Sequence, residues 1–314
     1  MLKINCCVIA LFRLIRLPNL LIVACTQLLL YYKVLLPVWQ LYALQPALDA
    51  PKFHLLVAVT VLITAGGYII NDISDLRIDL INRPNRVVVG KLIAHSTSYW
   101  LYFCINLGGF LLALYLGQIA GRLSLLILFP LAVAGLLLYA AILKKRPLLG
   151  NLLVALYCAG VAGIVWIAEL PVFQQLALQK APELFMVQCV LSSYMAFAFL
   201  STMFREIVKD LEDQPGDAAH GARTMPVAWG EHTARIIATV FGMLMLLLLL
   251  AIGWVLPGLS FISIMILIAI ATLVGIGLLY LWRARTQQQY HRLSTTAKLI
   301  MLAGIMLLFF LDFI

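Results

Sequence analysis

Charge is scarce in this chain. Only 11% of its 314 residues are Asp, Glu, Lys or Arg, against roughly 25% in a soluble domain. Apolar residues make up 64%, and the mean hydropathy is +1.05. So little charge cannot cover that much apolar surface in water, which excludes an ordinary soluble enzyme and a disordered chain. Cysteine is also sparse and unpatterned. Cys6, Cys7, Cys25, Cys104, Cys158 and Cys189 form no CxxC or Cys/His spacing, so they read as small buried hydrophobes rather than disulfides or metal ligands. No cleavable leader is expected, because Arg13 and Arg16 interrupt the first apolar run and no small-residue cleavage site follows. There is no basic tail, so the net charge of +9 does not point to nucleic acid. Glycine-rich phosphate loops and Ser-His-Asp arrangements are missing too.

What remains is a succession of long apolar runs. A membrane helix needs about 20 such residues. The chain offers nine spans, at roughly 14–32, 53–70, 96–117, 122–142, 149–169, 184–204, 232–255, 259–281 and 296–313. The fold class is therefore an all-α polytopic membrane protein forming one domain over 1–314. Some connections are tight, and two, 71–95 and 205–231, are long and polar. With the N-terminus inside and sides alternating, 18 Lys and Arg fall inside and four (Lys33, Lys52, Arg122, Lys180) outside. This asymmetry matches the positive-inside rule. It predicts that both long polar segments are cytoplasmic, in an inner (plasma) membrane. The segment 283–295 reads as a polar linker touching anionic lipid.

The acids are concentrated. Of 13 Asp and Glu, eight lie in residues 66–86 and 204–226. Asp72, Asp75 and Asp79 stand at i, i+3, i+7, and so do Asp210, Asp213 and Asp217. If each window continues the apolar helix before it, each triple lines one helix face. Aligned carboxylates repel by a few tenths of a kcal/mol per pair on an exposed helix, and more where the dielectric is low. Something must compensate. Carboxylate oxygens suit Mg²⁺, which keeps one or two protein carboxylates and fills its other positions with water and phosphate oxygens. Two such sets point to Mg²⁺ around a diphosphate. Solvated loops and a cation-coupled transporter are the competing readings; the second would put acids in mid-span, where this chain has almost none.

At these residues the sequence resembles a known family. Asn71-Asp72-x-x-Asp75-x-x-x-Asp79 followed by Asn82-Arg83-Pro84, with Asp213-x-x-x-Asp217 further on, looks like the paired motifs of the UbiA superfamily of intramembrane prenyltransferases. The fuller stretch from Arg205 through Lys209, Asp210 and Asp213 to Gly216-Asp217 is similar to its digeranylgeranylglyceryl phosphate synthase-like branch. An Arg16-x-x-Asn19 pair and a Tyr139…Lys144…Gly150-Asn151 stretch extend the resemblance over nearly the whole chain. It implies nine helices around a lipid-open cavity. The metal set would be Asp72, Asp75, Asp79, Asp210, Asp213 and Asp217, with Asp72, Asp75, Asp213 and Asp217 essential to catalysis. The ligands would be a polyprenyl diphosphate and a lipophilic acceptor. That acceptor is either a glycerol-phosphate alcohol or, as in quinone synthesis, an aromatic ring.

Direct contacts to diphosphate would fall to Arg83, Lys144, Lys209 and Arg223, since Arg forks phosphate oxygens and Lys acts as a point charge. Arg205 is a further candidate, whereas Arg86 and Lys145 read as loop charges. Asn19 and Asn71 would lie near the same ligand. Asn151 is either a substrate contact or a helix cap. Among Tyr68, Tyr139, Tyr157 and Tyr194, Tyr139 matches the family stretch and would stabilise an allylic cation with its ring. His95 and His220 read as structural or solvated. Oligomeric state is not legible.

Overall fold

The computed structural model describes residues 2–82, 84–256 and 259–311, with side chains from Val8 onward except that of Asn82. The described residues form helices α1 (Leu2–Leu14), α2 (Leu17–Leu29), α3 (Leu36–Leu41), α4 (Ala50–Asn82), α5 (His95–Ile119), α6 (Leu128–Ala141), α7 (Leu149–Leu178), α8 (Glu183–Ala219), α9 (Met225–Trp229), α10 (Glu231–Val255), α11 (Phe261–Arg283) and α12 (Gln287–Phe309). Among the described residues there is no strand, only one isolated bridge between Val89 and Ile93. Nine helical segments among them are long and apolar enough to cross a membrane: Leu17–Leu41, Ala50–Ile81, His95–Ile119, Leu123–Lys145, Leu149–Leu178, Glu183–Ala219, Glu231–Val255, Phe261–Arg283 and Gln287–Phe309.

The first span is longer than hydropathy predicts because α2 runs through a π-helical stretch, Leu30–Leu35, into α3. Pro37, in the first turn of α3, explains the widening: it offers no N–H and its ring crowds the carbonyl four residues back. α1 is an addition that the sequence reading missed. It is divided from α2 at Ile15–Arg16, where Arg16 takes φ +52°.

α4 has 33 residues and α8 has 37. At 1.5 Å per residue these are about 50 and 55 Å long, more than a ~30 Å hydrocarbon layer requires. The surplus carries the acidic windows, so within the polar segments 71–95 and 205–231, expected to be helical, 71–82 and 205–219 continue the membrane helices. α4 stops two residues before Pro84, since a proline disfavours helical backbone just ahead of it. α8 passes through Pro215 and ends before Gly221, whose φ is +67°.

The predicted linker 283–295 is another correction. α12 starts at Gln287, fixed by a capping box in which the Thr286 hydroxyl accepts from the Gln289 backbone while the Gln289 side chain accepts from that of Thr286. Cys25 and Cys104 are exposed rather than buried, which an apolar surrounding tolerates.

The chain divides into two compact units. The first comprises residues 1–24, 48–145 and 215–221. In it Ala10, Leu14, Ile69, Ile73, Val88 and Val89 form one buried cluster, and Val59, Ala113 and Phe129 another. α4 and α5 approach closely: a Cβ added to Gly66 would lie 2.7 Å from Asn106. The second unit comprises residues 25–47, 146–214 and 222–314. Its α10 and α12 are tied by buried Arg235, which donates to Tyr290 Oη and the Ala284 carbonyl and pairs with Glu231. Glu169, wholly buried on α7, accepts from the Ala47 backbone N–H at 2.9 Å.

Candidate functional site

In the first unit the leading acidic triple lies on one face of α4, and cations come to it from distant positions. Arg16 Nη2 pairs with Asp72 Oδ1 at 2.7 Å. Lys144 Nζ pairs with Asp75 Oδ1 at 2.5 Å, its side chain only 8% exposed. Asp79 interacts electrostatically with both cations. Burial works against the charge of Arg16, but Asp72, Tyr68 and Asp79 outweigh it and hold the guanidinium above its ordinary pKa. Arg16 also lies 4.8 Å from the centre of the Tyr68 ring, a cation–π distance. Asn19 donates to Tyr68 Oη at 3.1 Å. The left-handed backbone at Arg16 costs energy for a residue with a side chain, and it marks the break where α1 gives way to α2.

Lys144 sits in a short 3₁₀ turn after α6, five residues beyond Tyr139, which is half-buried on α6. Asn71 Oδ1 is buried without a hydrogen-bond partner. Asp217 is buried and belongs to this unit, whereas Asp210 and Asp213 belong to the second. Lys145 and Arg86 are exposed. Arg83 lies outside the described residues.

In the second unit Asp210 Oδ2 accepts from Asn151 Nδ2 at 2.8 Å. Asn151 is the third residue of α7, and the helix cap is Leu148, at φ +66°, so Asn151 bridges to α8 rather than capping. Lys209 and Asp213 are half-buried and Arg223 is exposed. Two acids that the sequence reading did not single out are buried on α8. Glu206 is paired with Arg205, and Glu212 lies 2.9 Å from His291 Nδ1 of α12. Arg16 and Tyr68, noted in the sequence as part of the family stretch and as one of four tyrosines, were not assigned a place in the site. A charged residue at the edge of an apolar run beside a proline was the available signal for Arg16.

No three His, Cys, Asp or Glu side chains among the described residues converge on one point as a ready metal cage. The donor chemistry nevertheless fits a hard divalent cation. The carboxylate oxygens of the α4 triple share a face with the unsatisfied oxygen of Asn71, and Mg²⁺ needs few protein ligands when phosphate and water supply the rest.

A sequence profile described as the UbiA prenyltransferase family matches residues 34–311. The chain belongs to the UbiA family. Digeranylgeranylglyceryl phosphate synthase of Methanosarcina mazei is 34% identical over 204 residues, which cover 65% of this chain and 63% of that protein. The match thus spans less than two thirds of this curated relative. A solved structure concerned with digeranylgeranylglyceryl phosphate synthase in membranes has a TM-score of 0.65 at 22% identity, covering 98% of both chains. A UbiA homologue from Archaeoglobus fulgidus, solved with GPP and Mg²⁺, has a TM-score of 0.56 at 13% identity, covering 95% of this chain and 99% of that one. These structures share the UbiA fold with this chain, an all-helical, integral multi-pass membrane protein.

Proposed function

We propose that this UbiA-family protein, acting as one domain over 1–314, transfers a prenyl group from a polyprenyl diphosphate to a lipophilic alcohol of the geranylgeranylglycerol-phosphate type, releasing diphosphate. The observation that carries the reading is the α4 face, where Asp72, Asp75 and Asp79 stand beside Arg16 and Lys144. Carboxylates and cations in one place suit a ligand that is itself an anion carried with divalent metal. The choice of acceptor is supported by the Lys209-Asp210-x-x-Asp213-x-x-Gly216-Asp217 pattern and by the 34% identity to an enzyme named for such an alcohol.

Asp72, Asp75 and Asp79 would hold Mg²⁺ from one motif, and Asp210, Asp213 and Asp217 from the other. Bound there, Mg²⁺ supplies positive charge for the leaving diphosphate. The chain's own cations have the same task. Lys144, Lys209, Arg83 and Arg223 bind phosphate oxygens, Lys as point charges and Arg as a fork. Asn19, Asn71 and Asn151 orient these groups and the ligand. As the allylic carbon loses diphosphate it becomes cation-like, and the Tyr139 ring stabilises it. The apolar helices keep water away until the acceptor arrives. Both aspartate sets and their ligand face the cytoplasm, a reading supported by the distribution of Lys and Arg, and membrane lipid surrounds the outer helix faces.

The test is direct. Purified protein with Mg²⁺ and geranylgeranyl diphosphate is given a panel of acceptors: a prenylated glycerol phosphate, 4-hydroxybenzoate and dihydroxynaphthoate. Mass spectrometry should show an ether of the glycerol phosphate together with diphosphate. Transfer only to an aromatic ring would overturn the acceptor, and absence of diphosphate release with every acceptor would overturn the reaction.

A further inference from the structure

Prenyl transfer to an alcohol leaves a proton to be removed, and none of the side chains named above has that task. The second unit contains a polar stripe suited to the task. On α8, Thr202, Glu206 and Asp210 follow one another every four residues and so share a face. On α7, Asn151 and Cys158 are seven apart and share a face as well. The stripes meet twice: Asn151 donates to Asp210, and the Cys158 thiol interacts with Thr202, Glu206 and Arg205. At 1.5 Å per residue, Glu206 lies about 6 Å and Thr202 about 12 Å from Asp210 along the axis, toward the apolar half of α8.

Two features of this stripe call for a ligand. Thr202 is 1% exposed, and its Oγ1 finds no oxygen or nitrogen partner, only the Cys158 thiol, a weak hydrogen-bonding group. Elsewhere in these helices Thr60, Thr64, Ser98 and Thr239 satisfy themselves by donating to the carbonyl four residues back. An unmade buried hydrogen bond costs about 1–3 kcal/mol, and a hydroxyl-bearing ligand would replace the weak partner with a strong one. Beside it, Glu206 is 8% exposed, and its carboxylate pairs with Arg205. A buried carboxylate is costly to keep even when paired. A carboxylate already paired with Arg205 repels an anionic diphosphate directly. It can accept a proton from a neutral hydroxyl.

We propose that Glu206 is the base that receives the acceptor's proton, with Thr202 holding the same hydroxyl in place. The inference rests on the alcohol reading given above. In the step, the allylic C–O bond to diphosphate breaks and its electron pair leaves with the diphosphate. The acceptor oxygen forms the new C–O bond. Its proton passes to the Glu206 carboxylate, which releases it to water once the ether departs.

The experiment uses the full-length protein with Mg²⁺, geranylgeranyl diphosphate and the alcohol of the acceptor panel, comparing wild type with Glu206→Gln, Glu206→Asp and Thr202→Val. Glu206→Gln should bind geranylgeranyl diphosphate as wild type does and release diphosphate at the wild-type rate when no acceptor is present. Its ether formation should fall by about 10² or more, the usual contribution of a general base. Glu206→Asp, which keeps a carboxylate, should recover part of that loss. Thr202→Val, which keeps the side chain's shape, should raise the KM for the alcohol more than it lowers kcat. Wild-type ether formation by Glu206→Gln would overturn the proposal. So would an equal loss of acceptor-free diphosphate release, which would place Glu206 on the diphosphate side. If Glu206→Gln fails to fold, an unchanged alcohol KM in Thr202→Val overturns the proposal instead. Failure of the alcohol reading itself would be visible earlier, as the lack of any ether with wild type.

Discussion

The ion pairs on α4 join residues of opposite charge in a partly buried setting, and their energetics follow from burial. Lys144 and Asp75 are 8% and 19% exposed at their side chains. Removing one partner leaves the other charge in a poor environment, whereas removing both does not. Lys144→Met is therefore expected to destabilise the metal-free protein by about 1–3 kcal/mol. The double variant Lys144→Met/Asp75→Asn should recover much of that loss, read as thermal midpoints in detergent. A different test addresses chemistry. Asp72→Ala, Asp75→Ala, Asp213→Ala and Asp217→Ala should each lower prenyl transfer by about 10²-fold or more, the scale of losing transition-state charge stabilisation, while the protein stays folded and membrane-inserted. Near-normal turnover at low Mg²⁺ in any two of them would remove the aspartates from the metal site.

Among the elements, α4 and α8 carry the argument because they outrun the membrane. Their acidic ends stay helical, so a spacing of i, i+3, i+7 becomes a shared face. In loops the same residues would have no common direction. The helical form was conditional in the sequence and followed from the absence of a breaker between Gly67 and Asn82. The start of α12 was legible too, in Thr286-Gln-Gln-Gln289, but its low hydropathy hid it behind a span set by apolar residues alone. That cap has a measurable value: Thr286→Ala should cost about 1 kcal/mol of stability, seen as a lower thermal midpoint with unchanged turnover. A midpoint equal to wild type would mean that packing of Tyr290 and Leu293, both buried, fixes the helix start without the cap.

For the whole molecule, charge distribution gives the sharpest expectations. Reporters inserted at Pro84 and at Lys145 should lie inside the cell, and reporters at Arg122 and Lys180 outside. A reversed pattern at any of the four would mean a span wrongly counted. Charge also argues that the two aspartate sets serve the same turnover. Under the proposed function each would add three negative charges to those of a diphosphate, so neither would be tolerated near that ligand without shared cations. Losses in Asp75→Asn and Asp213→Asn should then be non-additive, the double variant scarcely worse than the poorer single. Multiplicative losses in prenyl-diphosphate turnover would assign the sets to separate steps.

The sequence by itself determined what depends on near neighbours. Apolar runs of membrane length, the sign of the loops and the facing of each carboxylate triple are properties of short windows, fixed by hydropathy and by a 3.6-residue turn. Tertiary structure decided the partners. Arg16 meets Asp72 across 56 positions, Lys144 meets Asp75 across 69, and Asn151 meets Asp210 across 59. No local pattern states these pairings, because a buried charge is matched by whichever side chain helix packing brings within about 3 Å. The same holds for Thr202 and Glu206. In the sequence they are a common hydroxyl and one more acid near a motif. Burial between α7 and α8 is what leaves the first with only a thiol for a polar neighbour and makes the second costly to keep.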